Sequence, residues 1–139
     1  MTYRARPYPR ITKEMPPHKR KPRPQVRSRE HLSFIRQLPC VRCGCAPSQP
    51  AHVRTGTDGA AGVTPSDRYT VPLCAICHLQ HQHVVGELTF WAELGIDPLD
   101  LAFALWEKSG DLAAGERLIF RARQRILLKR YATRARKPI

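Results

Sequence analysis

Two Cys-x-x-Cys pairs, Cys40/Cys43 and Cys74/Cys77, constrain this chain more than any other feature of its sequence. Thiolates are soft ligands, and the two-residue gap lets the backbone amides of each turn wrap around a metal ion. With 139 residues the chain forms a small domain with a marginal core, which a structural metal would help to fold. The pattern therefore predicts one zinc ion held by all four cysteines, the alternative being buried free thiols. Cys45 is interpreted as a bystander, unless it replaces Cys43.

The formal net charge of +13 favours a polyanionic partner, most simply nucleic acid. An anionic membrane is the rival, but no apolar run approaches the roughly 20 residues of a membrane span. The first residues also lack the apolar stretch of a secretory signal. The cysteine count is odd, at five, and suits metal binding better than disulfides. We therefore expect a cytoplasmic protein with no membrane association.

The basic charge lies at the two ends of the chain. Residues 1–36 hold eleven Lys/Arg, residues 117–139 hold nine with no acid, and residues 37–116 hold four against nine acids. Residues 1–27 are rich in Pro, Arg and Lys and are predicted to form a flexible arm. The candidate nucleic-acid contacts are Arg20, Lys21, Arg23, Arg54, Arg121, Arg125 and Lys129.

Between the arms the sequence predicts an α+β domain. Ser28 is expected to cap a helix that runs to about Gln37, Tyr69–Leu73 reads as a strand, and a helix is expected from Cys77 to about Val85. Residues 87–139 are expected to be helical, with breaks at Gly95 and Gly110 and caps at Asp97 and Asp111. The side chains expected in the core of these later helices are Trp91, Leu99, Ala102, Phe103, Trp106, Leu112, Ile119, Ala122 and Ile126, whereas His18 and His31 are expected at the surface.

The order Cys-x-x-Cys, strand, His52, loop, strand, Cys-x-x-Cys-His78, helix resembles the HNH nuclease family over roughly residues 38–84. The segment Gly86-Glu87…Trp91…Gly95-Ile96-Asp97-Pro98 is similar to that of phage and prophage members, including recombination-enhancing nucleases. The resemblance implies a small ββα-metal core at residues 28–86, braced by the cysteine zinc site. It also implies a DNA endonuclease, and a recombinase filament or another DNA-processing protein as partner.

The resemblance implies the role of each site residue. His52 would be the general base, since neutral imidazole suits that task near pH 7. His78 would bind a catalytic Mg²⁺ or Mn²⁺. His83 and His81 are further candidate metal ligands or members of the zinc site. Asp67 would occupy the middle position, where its side chain would orient His52 or hold the loop.

Two positions depart from the family pattern. Ala51 stands where many members carry a metal-binding Asp or His, and the middle Asn is absent. These departures favour a first alternative, a zinc-braced nucleic-acid-binding module without catalysis. A second alternative is an assembly protein that binds nucleic acid through its arms alone. In every case we expect little sequence specificity.

Overall fold

The structure, a computed structural model, describes residues 25–60 and 62–136. It is a mixed α+β arrangement with a small two-stranded sheet and several helices. Two irregular helical turns, a 3₁₀ turn at Asp67–Tyr69 and a π turn at Gln80–Val84, interrupt the regular elements. In chain order the elements are α1 Arg29–Arg36, β1 Gln49–His52, β2 Thr70–Leu73, α2 Ala75–Leu79, α3 Glu87–Leu94, α4 Pro98–Glu107 and α5 Leu112–Ala135.

The two strands are antiparallel, and their register pairs Gln49 with Leu73 and His52 with Thr70. All four residues of β2 are buried, whereas the residues of β1 alternate in exposure. Helix α1 packs on both strands, α4 packs on β2, and α2 follows β2 directly and contacts both strands. The sheet therefore sits inside the molecule, and the start of β1 lies beside the start of α2.

The core joins α1 and the sheet to the later helices. Phe34 and Ile35 from α1, Val71 and Leu73 from β2, and Ile119 from α5 are all almost fully buried. Burying large aliphatic and aromatic side chains of this kind stabilises a fold by about 1.5–3 kcal/mol each.

Helix α5 crosses close to α1 at Gly115. A Cβ atom at this position would lie 2.7 Å from Phe34 Cζ and 2.9 Å from a Leu38 methyl group. These distances are shorter than carbon atoms tolerate, so the crossing requires glycine. The close approach brings α5 against the segment that leads into the first cysteine pair.

The predicted helix caps are confirmed. Ser28 Oγ accepts from the amide of His31 at 3.2 Å, and Asp97 accepts from Leu99 at 2.9 Å with Pro98 at the first helical position. Asp111 accepts from Ala114 at 3.1 Å. Gly95 ends α3 in the left-handed conformation, with φ at 71°. These short-range signals were readable because a cap depends on residues only two or three positions away.

Some burial predictions were wrong. Phe103 is 46% exposed and Leu112 is 38% exposed, while Leu101 and Leu105 occupy the buried face of α4. His31, expected at the surface, is fully buried; its Nδ1 lies 2.8 Å from Ser109 Oγ, and its ring packs edge-on against Trp106. Helical spacing alone did not reveal which of two adjacent faces α4 would turn toward the sheet.

Two predicted boundaries also shift. The helix expected from Cys77 to Val85 is α2 followed by the π turn, and the strand expected from Tyr69 begins at Thr70. Residues 1–24 of the predicted arm, with Arg20, Lys21, Arg23 and His18, lie outside the described residues. Residues 25–27, assigned to the arm, are held by the core: the amide of Val26 donates to Ser66 Oγ at 2.9 Å, and that of Asp67 donates to Val26 O at 2.8 Å.

Across the ranges 25–60 and 62–136, none of the helices is both long enough and apolar enough to cross a bilayer.

Candidate metal centre and histidine site

The four cysteines of the two pairs converge on one point. Their Sγ atoms all lie within 4.8 Å of one another, and those of Cys43 and Cys74 are 3.6 Å apart. A tetrahedral zinc with Zn–S bonds of about 2.3 Å places its sulfur atoms about 3.8 Å apart. The cluster could therefore hold a metal ion such as zinc, as the spacing predicted. Cys45 is exposed and does not belong to the cluster.

Backbone hydrogen bonds shape the first cysteine turn. The amide of Gly44 donates to Cys40 O at 2.8 Å, and that of Cys40 donates to Cys45 O at 3.0 Å. The next amide, of Val41, donates to Pro72 O at 3.0 Å and ties the turn to β2. Gly44 has φ at 77°, a conformation that favours glycine, and the Arg123 guanidinium lies against it. The turn is thus fixed from the sheet on one side and from α5 on the other.

The thiols differ in their tendency to ionise. Burial alone would raise the pKa of Cys43, but the Cys45 amide and neighbouring thiols outweigh it and lower that pKa to about 6. Burial raises the pKa of Cys77, opposed by a hydrogen bond from Arg42 Nη1, which lies 3.6 Å from Cys77 Sγ. Burial likewise raises the pKa of Cys40. A bound cation would displace these protons, because the thiolate is the ligand.

A second cluster lies at the end of β1, where His52 meets Asp67. His52 Nε2 is 2.9 Å from Asp67 Oδ1. The His52 side chain is 19% exposed and that of Asp67 is 5% exposed. A carboxylate accepts hydrogen bonds, so this contact places the imidazole proton on Nε2. In this neutral tautomer the lone pair of the His52 ring lies on Nδ1.

Asp67 is held by several donors. Its Oδ2 accepts from the amide of Ser28 at 2.8 Å, and its Oδ1 accepts from Arg27 Nη1 at 3.3 Å as well as from His52. Burial alone would raise the Asp67 pKa, but the hydrogen bonds from His52, Ser28 and Arg27 outweigh it and lower that pKa. Asp67 is therefore an ionised carboxylate that accepts hydrogen bonds from three protein donors.

His78 lies on α2, next to the cysteine cluster and close to His52. Its Nδ1 is 2.9 Å from Gln49 Oε1 on β1. Its Nε2 is buried without a hydrogen-bond partner among the described residues. Burial lowers the His78 pKa, and the nearby charges of His52 and His83 lower it further. His83 is exposed and lines the same shallow depression as Gln49 and His78.

His81 does not join this site. It is fully buried, and its Nε2 accepts a hydrogen bond from Trp91 Nε1 at 2.8 Å. Its ring packs edge-on against Phe90 and Trp91, and burial lowers its pKa. The π turn directs His81 into the aromatic core, apart from the cysteine cluster. Within the described ranges the four cysteines form the only group of three or more potential ligands.

Glu87 is a site-forming residue that the sequence analysis missed. It opens α3, and its carboxylate accepts from the amides of Arg54 at 3.0 and 3.1 Å and of Thr55 at 2.8 Å. It thereby pins the chain just after His52. The sequence does predict that an acid in the first turn of α3 interacts favourably with the helix dipole. It does not indicate that the Glu87 carboxylate would accept from the Thr55 amide, 32 residues away.

The structure describes four of the predicted nucleic-acid contacts, of which Arg121, Arg125 and Lys129 follow one another at four-residue spacing on α5. The exposed Arg54 reaches the carbonyls of Ala60 and Val63, both at 3.4 Å. Arg121 and Arg125 border a groove between α4 and α5 together with two acids, Asp97 and Asp100. The Lys129 ammonium donates to the carbonyl of Ala92, near the end of α3.

No curated protein and no solved structure shows significant similarity to the chain. A family model described as "Protein of unknown function (DUF968)" matches residues 10–105. The match contains the four clustered cysteines, His52, Asp67 and His78, and it ends before α5. Because it spans more than half of the 139 residues, the chain belongs to the DUF968 family.

Proposed function

We propose that this protein is a metal-dependent endonuclease of the HNH type that hydrolyses DNA phosphodiester bonds. The observation that best supports this proposal is the contact between His52, at the end of β1, and Asp67. His52 Nε2 lies 2.9 Å from Asp67 Oδ1. His78, on helix α2, is close enough to this pair for the charge of His52 to lower the His78 pKa. The proposal also rests on the resemblance of the motif order to the HNH family.

In this proposal His52 is the general base. With Nε2–H donated to Asp67, Nδ1 carries the lone pair that takes a proton from water. The water oxygen then bonds to phosphorus, and the bond from phosphorus to the 3′-oxygen breaks. The Asp67 carboxylate orients the ring and stabilises the imidazolium that forms. A positioned base of this kind contributes about 10²–10⁴-fold to rate.

The proposed metals are a structural Zn²⁺ at the four cysteines and a catalytic Mg²⁺ or Mn²⁺ near His78. The fit of His78 rests on its tautomer. Nδ1 donates to Gln49 Oε1, so Nε2 carries the lone pair, as in histidines that bind metals, and it has no hydrogen-bond partner in the part of the chain that the structure describes. His83 borders the same depression. Bound there, the ion would supply charge stabilisation at the scissile phosphate. Mg²⁺ and Mn²⁺ prefer oxygen ligands, so water and phosphate oxygens would complete the coordination beside the histidines.

The proposed substrate is DNA, held through phosphates by the basic segments at the two ends. The net charge of +13 and the arginines spread over the described residues favour contacts with the phosphate backbone of DNA. Such contacts carry little sequence information. Recruitment by a recombinase filament or another phage or host DNA-processing protein is part of the proposal through resemblance alone.

The test is cleavage of supercoiled plasmid and of single-stranded DNA, comparing wild type with His52→Ala. Magnesium and manganese are added or omitted rather than chelated, because EDTA would also strip the cysteine site. We expect metal-dependent cleavage that falls about 100-fold or more in His52→Ala. Added imidazole should restore part of it, since the free ring can occupy the vacated space.

Circular dichroism and DNA-binding measurements should give equal values for the two proteins, which separates catalysis from folding. Equal cleavage by wild type and variant would mean that His52 is not the base. If neither cleaves and both bind DNA, the second candidate leads: a zinc-braced DNA-binding module. Ala51, which cannot bind metal, and the commitment of Asp67 to its donors are the observations that favour it.

A further inference from the structure

Helix α5 carries a second apolar stripe, which is exposed in the part of the chain that the structure describes. The outer stripe, as we name it, consists of Phe120, Gln124, Leu127 and Tyr131. Phe120 is 63% exposed, Leu127 57% and Tyr131 76%. Their spacing of four, three and four residues places them on one helical face over about 16 Å. Leu128, 68% exposed, lies at its edge.

The outer stripe faces away from the protein core. The buried positions of α5 are Ala114, Gly115, Ile119, Ala122 and Ile126, and the last four form a separate stripe on the opposite side. After Ile126 every described residue of the helix is exposed. A surface helix ordinarily turns one apolar face to the core and polar residues to solvent. A second ordered apolar face indicates a partner.

The spacing is that of a coiled-coil seam. Phe120 and Leu127 take d positions, and Gln124 and Tyr131 take a positions. The flanking e and g positions then include Arg121, Arg123 and Arg130, of which Arg121 and Arg130 are exposed. Charges at e and g decide which helix pairs with such a seam.

The charges select the partner. The sequence contains no Asp or Glu from residue 117 onward, so two copies of α5 would bring arginines together along both edges of the seam. A helix with acidic e and g positions would instead meet opposite charge. We infer that the outer stripe docks an acidic amphipathic helix of another protein. This inference does not depend on the proposed nuclease activity.

Two other ligand classes fit the stripe less well. Nucleic-acid bases stack on aromatic rings, and Leu127 and Leu128 offer none. An interfacial membrane helix needs a broad apolar face along its length, whereas this stripe has the narrow width of an a/d coiled-coil seam. An acidic helix uses both the aliphatic side chains and the flanking charges.

The test uses the full chain and a synthetic peptide of about four heptads, with Leu at a and d and Glu at e and g. A control peptide has the same composition with the leucines shuffled, so that charge is constant. Isothermal titration calorimetry at physiological salt should show the patterned peptide binding at least about tenfold tighter. The double variant Leu127→Ser/Tyr131→Ser should lose that preference, and Ala132→Ser on the same helix should keep it.

A charge exchange sharpens the test. Arg121→Glu/Arg130→Glu should shift the preference to a peptide with Lys at e and g. Because these residues are exposed, all variants should match the wild type by circular dichroism. Equal binding of patterned and shuffled peptides would overturn the inference. So would self-association in sedimentation velocity that disappears in the Leu127/Tyr131 variant. Loss of binding to phosphatidylglycerol vesicles or single-stranded DNA in that variant, with no peptide preference, would assign the stripe to those ligands instead.

Discussion

His52 Nε2 and Asp67 Oδ1 lie 2.9 Å apart, although fifteen residues separate them in the chain. The same carboxylate accepts from the Ser28 amide and from Arg27. One buried side chain therefore joins the end of β1, the turn before β2 and the entry to α1. The stability of this junction and the orientation of His52 depend on a single negative charge.

Replacing Asp67 with Asn should destabilise the protein by about 1–3 kcal/mol near neutral pH, because an amide satisfies fewer of the donors that surround it. Urea denaturation of wild type and Asp67→Asn measures the difference. Asp100→Asn, at an exposed position of α4, is the matched control and should change the free energy of unfolding little.

The Asp67 effect should depend on pH in a defined direction. The folded-state pKa of Asp67 is lowered, and the unfolded value is about 3.9. Its contribution is therefore fully present above about pH 4 and is lost as pH falls through the folded pKa. As the pH falls from about 4 through the folded-state pKa of Asp67, the difference in unfolding free energy between wild type and Asp67→Asn should shrink. A difference that stays constant from pH 6 to pH 2.5 would contradict a role for the charge.

Metal removal should unfold or strongly destabilise the cysteine centre. We expect one zinc per chain by elemental analysis, and a large fall in melting temperature after a strong chelator. Cys74→Ser should lose the metal, because it removes one of four clustered ligands. Cys45→Ser is the internal control and should keep one zinc, since Cys45 lies outside the cluster. Retention of metal by Cys74→Ser would show that the four cysteines do not act as one site.

Arg42 should strengthen metal binding through the charge that it places 3.6 Å from Cys77 Sγ. A zinc ion with four thiolates carries net negative charge, which a nearby guanidinium stabilises. Arg42→Ala should weaken zinc binding by about 10–100-fold, measured by competition with a chromophoric chelator. The exposed Arg36→Ala on α1 should leave the affinity unchanged. Equal affinities of Arg42→Ala and wild type would exclude this role.

Glu87 should hold the chain that follows His52. In Glu87→Gln the carboxylate that accepts from the amides of Arg54 and Thr55 is replaced by a neutral amide, at a cost of about 1 kcal/mol. Hydrogen exchange of those two amides should accelerate. Glu93→Gln, an exposed change on the same helix, should leave their exchange as it is. Unchanged exchange in Glu87→Gln would mean that the segment is held by other contacts.

Residues two to four positions apart were predicted well. The caps at Ser28, Asp97 and Asp111 and the end of α3 at Gly95 follow from local hydrogen bonding and local backbone preference. The cysteine cluster was also predictable, because two Cys-x-x-Cys turns have few other chemical uses in one small domain. The pairing of His52 with Asp67 was anticipated only through the family resemblance.

The positions of the other histidines depended on tertiary packing. His31 and His81 are both fully buried, one against Trp106 and the other against Trp91, although polar residues ordinarily favour the surface. In each ring one nitrogen is hydrogen-bonded, that of His31 to Ser109 and that of His81 to Trp91. This bond makes burial of the polar ring possible. Those partners lie 78 and 10 residues away, beyond what helical or strand periodicity predicts.

The sequence alone determined which four cysteines cluster, the caps of α1, α4 and α5, and the separation of basic ends from a more acidic centre, because these depend on residue type and short spacing. Tertiary structure decided that Asp67 accepts from three donors, that Glu87 holds the segment after His52, and that α5 leaves Phe120, Leu127 and Tyr131 exposed. These features require elements far apart in the chain to meet, and which faces meet is set by the packing of the whole core.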